Sequence, residues 1–142
     1  MNTSDLFIES GDRHPSVIFD PQEGILEIKG ASVMKHPRLF YRQVFLSLKH
    51  WSKTNTQDSF TANLYLSSLN DGSLLVFYQL FRWLQLKQPY AVVHWYVVAD
   101  YPDGVITGKQ FKEDFPMLDL QIRQTTIGHS EIPAILSVPK GI

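Results

Sequence analysis

The chain has 142 residues, no cysteine and a formal net charge of −1, and 44% of its residues are hydrophobic. A chain of this size fits one domain that buries about two-thirds of its unfolded surface, and without cysteine it forms no disulfide and uses no thiolate nucleophile. The Lys and Arg residues are scattered in the sequence, without a basic face interleaved with aromatic residues, so we expect no nucleic-acid binding. The N-terminus lacks a signal-peptide pattern and no apolar run reaches 18 residues, which predicts a cytoplasmic protein without membrane insertion.

The N-terminal part of the chain predicts an antiparallel hairpin. A short edge strand is weakly indicated at residues 6–9, and clearer strands cover residues 16–19 and 25–29. Between the two clear strands, Pro21 fixes one backbone dihedral and Gly24 is free to adopt a positive φ, as a tight turn requires.

A helix is predicted to follow this hairpin. Residues 30–32 are expected to leave the sheet, because Gly-Ala-Ser does not continue the apolar alternation. Pro37 is tolerated in a first helical turn, and apolar residues at helical spacing extend the helix to about Lys53. A polar connection over residues 52–59 comes next.

The central stretch reads as a strand, a polar turn and a helix. Apolar and polar residues alternate over residues 60–66, and we expect the strand to stop at Ser67. Residues 67–72 are rich in side chains that bond to their own backbone, which predicts a turn. The apolar stripe of the helix begins at Leu74, and its N-cap is one of three residues: Asn70, Asp71 or Ser73.

The remaining elements continue this alternation of strand and helix. Residues 91–99 are apolar at both odd and even positions, which predicts a central strand covered on both faces. A loop at 100–104, a helix at 105–114 and a strand at 117–122 follow. Residues 125–142 show no clear period, which leaves open whether they pack or move.

These elements predict the α/β class, with a mixed sheet, an N-terminal antiparallel hairpin and about three helices joined by right-handed crossovers. We expect one domain over residues 1–142, with its core at about 15–123 and an extended tail over 124–142. Ligands and partners favour the carboxyl ends of strands in such sheets. The 67–72 turn and the 100–104 loop both follow strands, so they form the predicted functional surface and are expected to be neighbours.

Two hydroxyls stand at the predicted start of the central helix. The first backbone amides of a helix lack internal partners and carry partial positive charge, so they would receive a phosphate on Ser68 favourably. Such a phosphate adds about −1.5 to −2 charges, enough to switch a protein interface. This hypothesis requires the Ser68 hydroxyl to be open to solvent. The alternative is that Ser67 and Ser68 only end a strand.

No pattern predicts catalytic, cofactor-binding or metal-binding residues. His94 is interpreted as a hydrogen-bonded core residue, and the other four histidines lack metal-ligand spacing. Ser68, His94 and Asp100 offer the residue types of a hydrolase triad, but the chain has no nucleophile-elbow motif. A small hydrolase or ligand-binding enzyme that uses Ser68 and Asp100 stays open as an alternative.

Several short motifs, in order and spacing, resemble the SiaC family of bacterial regulatory phosphoproteins over residues 15–122. The matching residues are the hairpin Val17–Pro21 with Gly24–Ile28 and Gly30, the pairs Phe40-Tyr41 and Leu64-Tyr65, the triplet His94-Trp95-Tyr96, and Gly108, Phe111, Glu113 and Asp114 at their spacing from Asp100 or Asp103. The resemblance implies a fold similar to that of STAS-type anti-sigma-factor antagonists.

The resemblance also implies a function. Members of the family carry a threonine that a protein serine/threonine kinase phosphorylates and a PP2C-type phosphatase restores, and the unphosphorylated form engages a diguanylate cyclase in cyclic-di-GMP signalling. An ungapped alignment places Ser68 on that threonine and Ser67 on the asparagine before it. The resemblance therefore implies a regulator that is not an enzyme. Ser68 is the first candidate phosphorylation site and Ser67 is the second. The predicted partner-binding residues are Leu69, Asn70, Asp71, Gly72, Asp100 and Asp103.

Two segments depart from the family pattern. Leu69-Asn70-Asp71 replaces a run of hydroxyl residues, and residues 32–36 replace a Ser-Tyr-Pro-Glu-Asn segment. Serine accepts phosphate as threonine does, whereas Asp71 would repel it. The chain is accordingly interpreted as a diverged member, and a binding module that has lost the phosphorylation switch stays open as a further alternative. The oligomeric state is not predicted.

Overall fold

The computed structural model describes residues 6–54 and 59–132. Its strands are β1 (Leu6–Ile8), β2 (Ser16–Asp20), β3 (Ile25–Ser32), β4 (Phe60–Leu69), β5 (Ala91–Val97) and β6 (Asp119–Gln124). Its helices are α1 (Pro37–Thr54), α2 (Asp71–Lys87) and α3 (Gly104–Asp114), with a 3₁₀ turn at His129–Glu131. None of the helices in the described ranges is long and apolar enough to cross a bilayer.

The six strands form one mixed sheet in the order β1-β2-β3-β4-β5-β6. The first three strands are antiparallel to one another, and β3 to β6 are parallel. Gly24 takes φ 66° in the β2–β3 turn, as predicted. Right-handed crossovers between successive neighbouring strands place α1, α2 and α3 on the same face of the sheet. The predicted α/β class is confirmed.

The core fills the space between the helices and this face of the sheet. Strand residues such as Leu26, Leu64 and Trp95 are buried there against the apolar faces of the helices. The Trp95 indole donates to the carbonyl of Gly104 at 2.8 Å. A Cβ on Gly108 would lie 2.6 Å from Trp95 Cδ1, so the close approach of α3 to β5 requires glycine.

The opposite face of the sheet is less covered. The Tyr65 and Tyr96 rings stack on it at 4.4 Å, and Lys29 Nζ donates to the carbonyl of Ile132 at 2.9 Å. Buried and half-buried residues alternate along β5, with His94 and Tyr96 among the half-buried ones. The prediction that β5 is covered on both faces is therefore wrong, although the strand is internal, as predicted.

Three predicted boundaries are also wrong. β3 continues through residues 30–32 and β4 continues through Leu69, because Ser32 pairs with Leu69 in the parallel ladder. β6 covers Asp119–Gln124 instead of 117–122. α2 begins at Asp71, directly after one of the three predicted N-caps and one turn before its apolar stripe. The predicted tail begins packed on the sheet, where the Thr125 amide donates to the Val97 carbonyl at 3.0 Å. Residues 133–142 of this tail and residues 55–58 of the polar connection lie outside the described ranges.

Candidate functional site

A single residue, Asn70, joins β4 to α2. Its Oδ1 accepts from the Ser73 amide at 2.8 Å, which makes it the N-cap of the helix. Its Nδ2 donates to the Met34 carbonyl at 2.9 Å, and its own amide donates to the Ser32 carbonyl at 3.1 Å. Asn70 therefore caps α2 and also ties that cap to the chain segment between β3 and α1.

A buried cluster of hydroxyls lies beneath this cap. Ser32 Oγ is 2.7 Å from Tyr41 Oη and 2.8 Å from Ser73 Oγ, and all three side chains are buried. Burial raises the pKa of the Tyr41 phenol, so the cluster stays neutral near physiological pH. It links β3, α1 and α2 at the carboxyl edge of the sheet. Sequence reasoning missed it, although Ser32 and Ser73 both occupy positions on core-facing sides of their elements.

Ser68 lies inside β4, not in a turn. The register shifts at Gly30 and Ala31: Gly30 pairs with Leu66, whereas Ala31 pairs with Ser68, so β4 carries one extra residue, Ser67, at a bulge. Because alternate strand residues point to opposite faces, the extra residue moves Ser68 away from the helices and turns Leu69 towards them. Both predicted phosphorylation sites are half-buried. The expected fully open Ser68 hydroxyl in a polar turn is thus replaced by a half-buried serine on the less covered face.

The leading amides of α2 are not all available to an anion. The Ser73 amide already donates to Asn70, and the exposed Asp71 carboxylate stands in the first turn. Ser68 precedes the cap by two residues and points to the opposite face of the sheet. The expectation that these amides receive a phosphate on Ser68 is therefore wrong for the Ser73 amide.

The predicted partner-binding residues occupy different environments. Leu69 packs partly against the core, whereas Asp71 is exposed. Gly72 lies against α1, where a Cβ would be 2.8 Å from Pro37 Cγ. Asp103 precedes α3 and is exposed, but its side chain does not cap that helix.

Asp100 forms a hydrogen-bonded pair with His129 in the loop after β5. Its Oδ2 lies 2.6 Å from His129 Nδ1, and its Oδ1 accepts from the His129 amide at 3.1 Å. Partial burial opposes ionisation, but the hydrogen bonds from the His129 side chain and backbone hold the pKa of Asp100 below its usual value. The pair fixes the 3₁₀ turn against the loop after β5.

The residue types of the hydrolase alternative do not assemble. His94 Nδ1 accepts from Arg123 Nε at 2.9 Å, and burial followed by the Arg123 charge lowers the pKa of His94. Asp100 pairs with His129 instead. Within residues 6–54 and 59–132, the Ser68 side chain has no hydrogen bond to a histidine, and no group of three His, Asp or Glu side chains could hold a metal ion.

Two hollows lie between α1 and α2, on the outer side of the helix layer. One, of about 660 Å³, is at the N-terminal ends of the helices and is lined by Pro37, Leu39, Gly72 and Leu75, among others. The other, of about 340 Å³, is at their C-terminal ends. Ser68 and Asp100 line neither hollow.

The outer surface of α1 is basic. Arg38, Arg42, Lys49 and Lys53 are exposed at spacings of four, seven and four residues, which places them along one stripe of the helix. The interpretation of the Lys and Arg residues as scattered is therefore wrong for this helix. A linear scan misses the stripe because apolar core residues separate its members in the sequence.

Comparisons with known proteins agree with this architecture. Three solved structures of SiaC from Pseudomonas aeruginosa share the fold, and the match covers 100% of each of their chains. Apo-SiaC has a TM-score of 0.73 at 19% identity over 89% of this chain, and a further SiaC structure has a TM-score of 0.76 at 20% identity over 88%. SiaC in complex with the diguanylate cyclase SiaD, which it activates, has a TM-score of 0.77 at 19% identity over 85% of this chain. A comparison with curated proteins gave no match. The family model of the SiaC regulatory phosphoproteins matches residues 8–125. The chain therefore belongs to the SiaC family of regulatory phosphoproteins.

Proposed function

We propose that the protein is a signalling regulator without enzymatic activity of its own, which binds and activates a diguanylate cyclase and whose binding is switched by phosphorylation of Ser68. The observation that carries this proposal is family membership over residues 8–125. The fold of the chain covers the whole of the SiaC chain that was solved in complex with the cyclase SiaD. A protein serine/threonine kinase and a PP2C-type phosphatase complete the proposed switch.

The surroundings of Ser68 support its role as the acceptor. The bulge at Ser67 directs Ser68 to the face of the sheet opposite the helix layer, where its side chain is half-buried and outside the core between sheet and helices. A phosphate there would place about two negative charges two residues before the cap of α2, on the face of the sheet opposite the helices. The proposed switch therefore acts by added charge at the carboxyl edge of the sheet, not by filling the helix N-terminus.

The hydrolase alternative has no comparable support. His94 pairs with Asn63, five residues before Ser68 along β4, and bonds to Arg123, while Asp100 is committed to His129. A nucleophilic serine needs a base within hydrogen-bond reach, oriented by a third group. The described residues do not supply that arrangement around Ser68.

Two measurements test the proposal. The protein is incubated with a protein serine/threonine kinase from the same organism and ATP, and the modified residue is located by mass spectrometry. We expect one phosphate on Ser68, lost in Ser68→Ala and retained in Ser67→Ala, which serves as the matched control. Both variants should unfold within about 0.5 kcal/mol of the wild type, since neither hydroxyl contributes to the core.

The second measurement concerns the cyclase. Purified diguanylate cyclase from the same organism should produce more cyclic-di-GMP when the unmodified protein is added, and less when the phosphorylated protein is added instead. No change in the cyclase rate and no binding would contradict the proposed partner. Activation that persists fully after phosphorylation of Ser68 would leave the partner in place and remove the switch.

A further inference from the structure

The groove between α1 and α2 has a regular lining. On α2, Gly72, Val76, Gln79 and Trp83 follow at spacings of four, three and four residues, and each lines one of the two hollows. Residues so spaced form one stripe along a helix. The two hollows therefore lie on one line between α1 and α2, at opposite ends of the surface that we call the α1–α2 groove, which follows α1 over its 18 residues, about 27 Å at 1.5 Å per residue.

The two walls of the groove differ in character. The α1 wall carries Arg38 at one end and Lys49 and Lys53 at the other, and helical periodicity places Arg42 between them. The α2 side carries apolar groups, among them Leu75, which is 63% exposed, and on α1 Leu39 is 71% exposed. The α1 wall thus offers cations beside apolar surface, and the α2 wall offers mainly apolar surface.

The positive charge of this surface is not balanced within the helices. Residues 35–54 contain five Lys or Arg residues and no Asp or Glu, in a chain whose overall net charge is −1. In α2 the acidic residue is Asp71, at its first position, whereas Arg82 and Lys87 add two further cations. The described groove therefore lacks an acidic residue along its length beyond the first turn of α2.

The shape and chemistry favour one class of occupant. A groove between two helices accepts a third helix, whose apolar stripe lies against apolar groups and whose flanking residues meet the walls. Duplex DNA would leave the exposed Leu39 and Leu75 without apolar partners, and a flat bilayer surface would not fill a concave groove. An acidic amphipathic helix satisfies both walls at once.

We infer that the α1–α2 groove docks an acidic amphipathic helix of a partner protein, with leucine-type residues against Leu39 and Leu75 and carboxylates against Arg38, Arg42 and Lys49. The inference rests on the proposed function in one respect, since a cyclase regulator needs a surface that holds its partner. It adds where the partner binds and what chemistry its segment carries.

The test uses a probe that does not depend on any particular partner. A fluorescein-labelled 18-residue peptide carries leucines at i, i+4, i+7 and i+11 with glutamates beside them, and a second peptide carries lysines in place of the glutamates. Fluorescence anisotropy with the full chain should show saturable binding of the acidic peptide only. Raising NaCl from about 0.05 M to about 0.5 M should weaken that binding.

Variants locate the site. Arg42→Glu combined with Leu75→Glu should weaken binding of the acidic peptide about tenfold or more, because the first change reverses a wall charge and the second removes apolar contact. Lys109→Glu combined with Ile106→Glu makes the same two kinds of change at exposed positions of α3 and should leave binding unchanged. Far-UV circular dichroism and thermal unfolding verify that both variants remain folded.

Several outcomes would overturn the inference: equal binding of both peptides, equal loss in both double variants, no binding of the acidic peptide, or binding of the chain to anionic vesicles or duplex DNA in its place. The cyclase separates this result from the proposed function. A wild-type protein that binds the peptide in the groove but no cyclase refutes the function alone. A groove variant that binds the cyclase as tightly as the wild type refutes the groove alone.

Discussion

The oxygen and the nitrogen of the Asn70 side-chain amide make different hydrogen bonds, so two substitutions can separate their contributions to the free energy of unfolding. Asn70→Ala removes the N-cap of α2, worth about 1 kcal/mol, and the hydrogen bond to the Met34 carbonyl, worth about 1 kcal/mol more. The free energy of unfolding should fall by about 2 kcal/mol. For a domain of this size, such a loss lowers Tm by about 4–8 °C.

Asn70→Asp separates the two contributions. The carboxylate still accepts from the Ser73 amide and gains from the helix dipole, but it no longer donates to Met34. This variant should lose less than about 1 kcal/mol at neutral pH. Urea unfolding followed by circular dichroism measures both losses. If Asn70→Ala unfolds within about 0.5 kcal/mol of the wild type, or if the two variants lose the same amount, the assigned double role of Asn70 is incorrect.

Three further changes have defined outcomes. Gly108→Ala should lower the free energy of unfolding measured in urea. Overpacking against Trp95 costs about 1–3 kcal/mol, which outweighs the gain of about 1 kcal/mol in helix propensity. A more stable variant would contradict the close contact. Ser32→Ala should cost about 1–3 kcal/mol in the same assay, since two buried hydroxyls lose their partner, and an unchanged midpoint would argue against the cluster. Asp100→Asn should lower the free energy of unfolding at neutral pH but not in acid. The pKa of Asp100 is lower in the folded state than its ordinary value of 3.8, so its pairing with His129 stabilises the fold above pH 3.8. This contribution is lost as the pH falls through the folded-state pKa of Asp100. A difference between this variant and the wild type that does not shrink on acidification would exclude the pair as its source.

The regular elements could be predicted because their signals are local. The hairpin turn was specified by Pro21 and Gly24, and helical periodicity located all three helices to within a few residues. The continuation of β3 and β4 could not be predicted in this way. Ser32 and Ser68 are polar residues that usually end a strand, and here tertiary hydrogen bonds and ladder pairing keep both in the sheet.

The candidate site was predicted in part. Asn70 was one of three expected caps and is the cap observed. The orientation of Ser68 could not be predicted, since a bulge depends on the pairing with β3 and leaves no local pattern at Ser67. The basic stripe of α1 was present in the sequence at helical spacing, and a test of Lys and Arg at period 3.6 would have found it.

The bulge at Ser67 has a consequence for how this segment can vary among related proteins. The extra residue reverses the alternation of side chains along β4, so the number of residues before it determines which face of the sheet each later side chain occupies. A relative that lacks one residue here would carry the side chain equivalent to Ser68 inward and expose an apolar side chain at the rim. Insertions and deletions at this point should therefore alter the exposure of this side chain more than exchanges among serine, threonine and asparagine do.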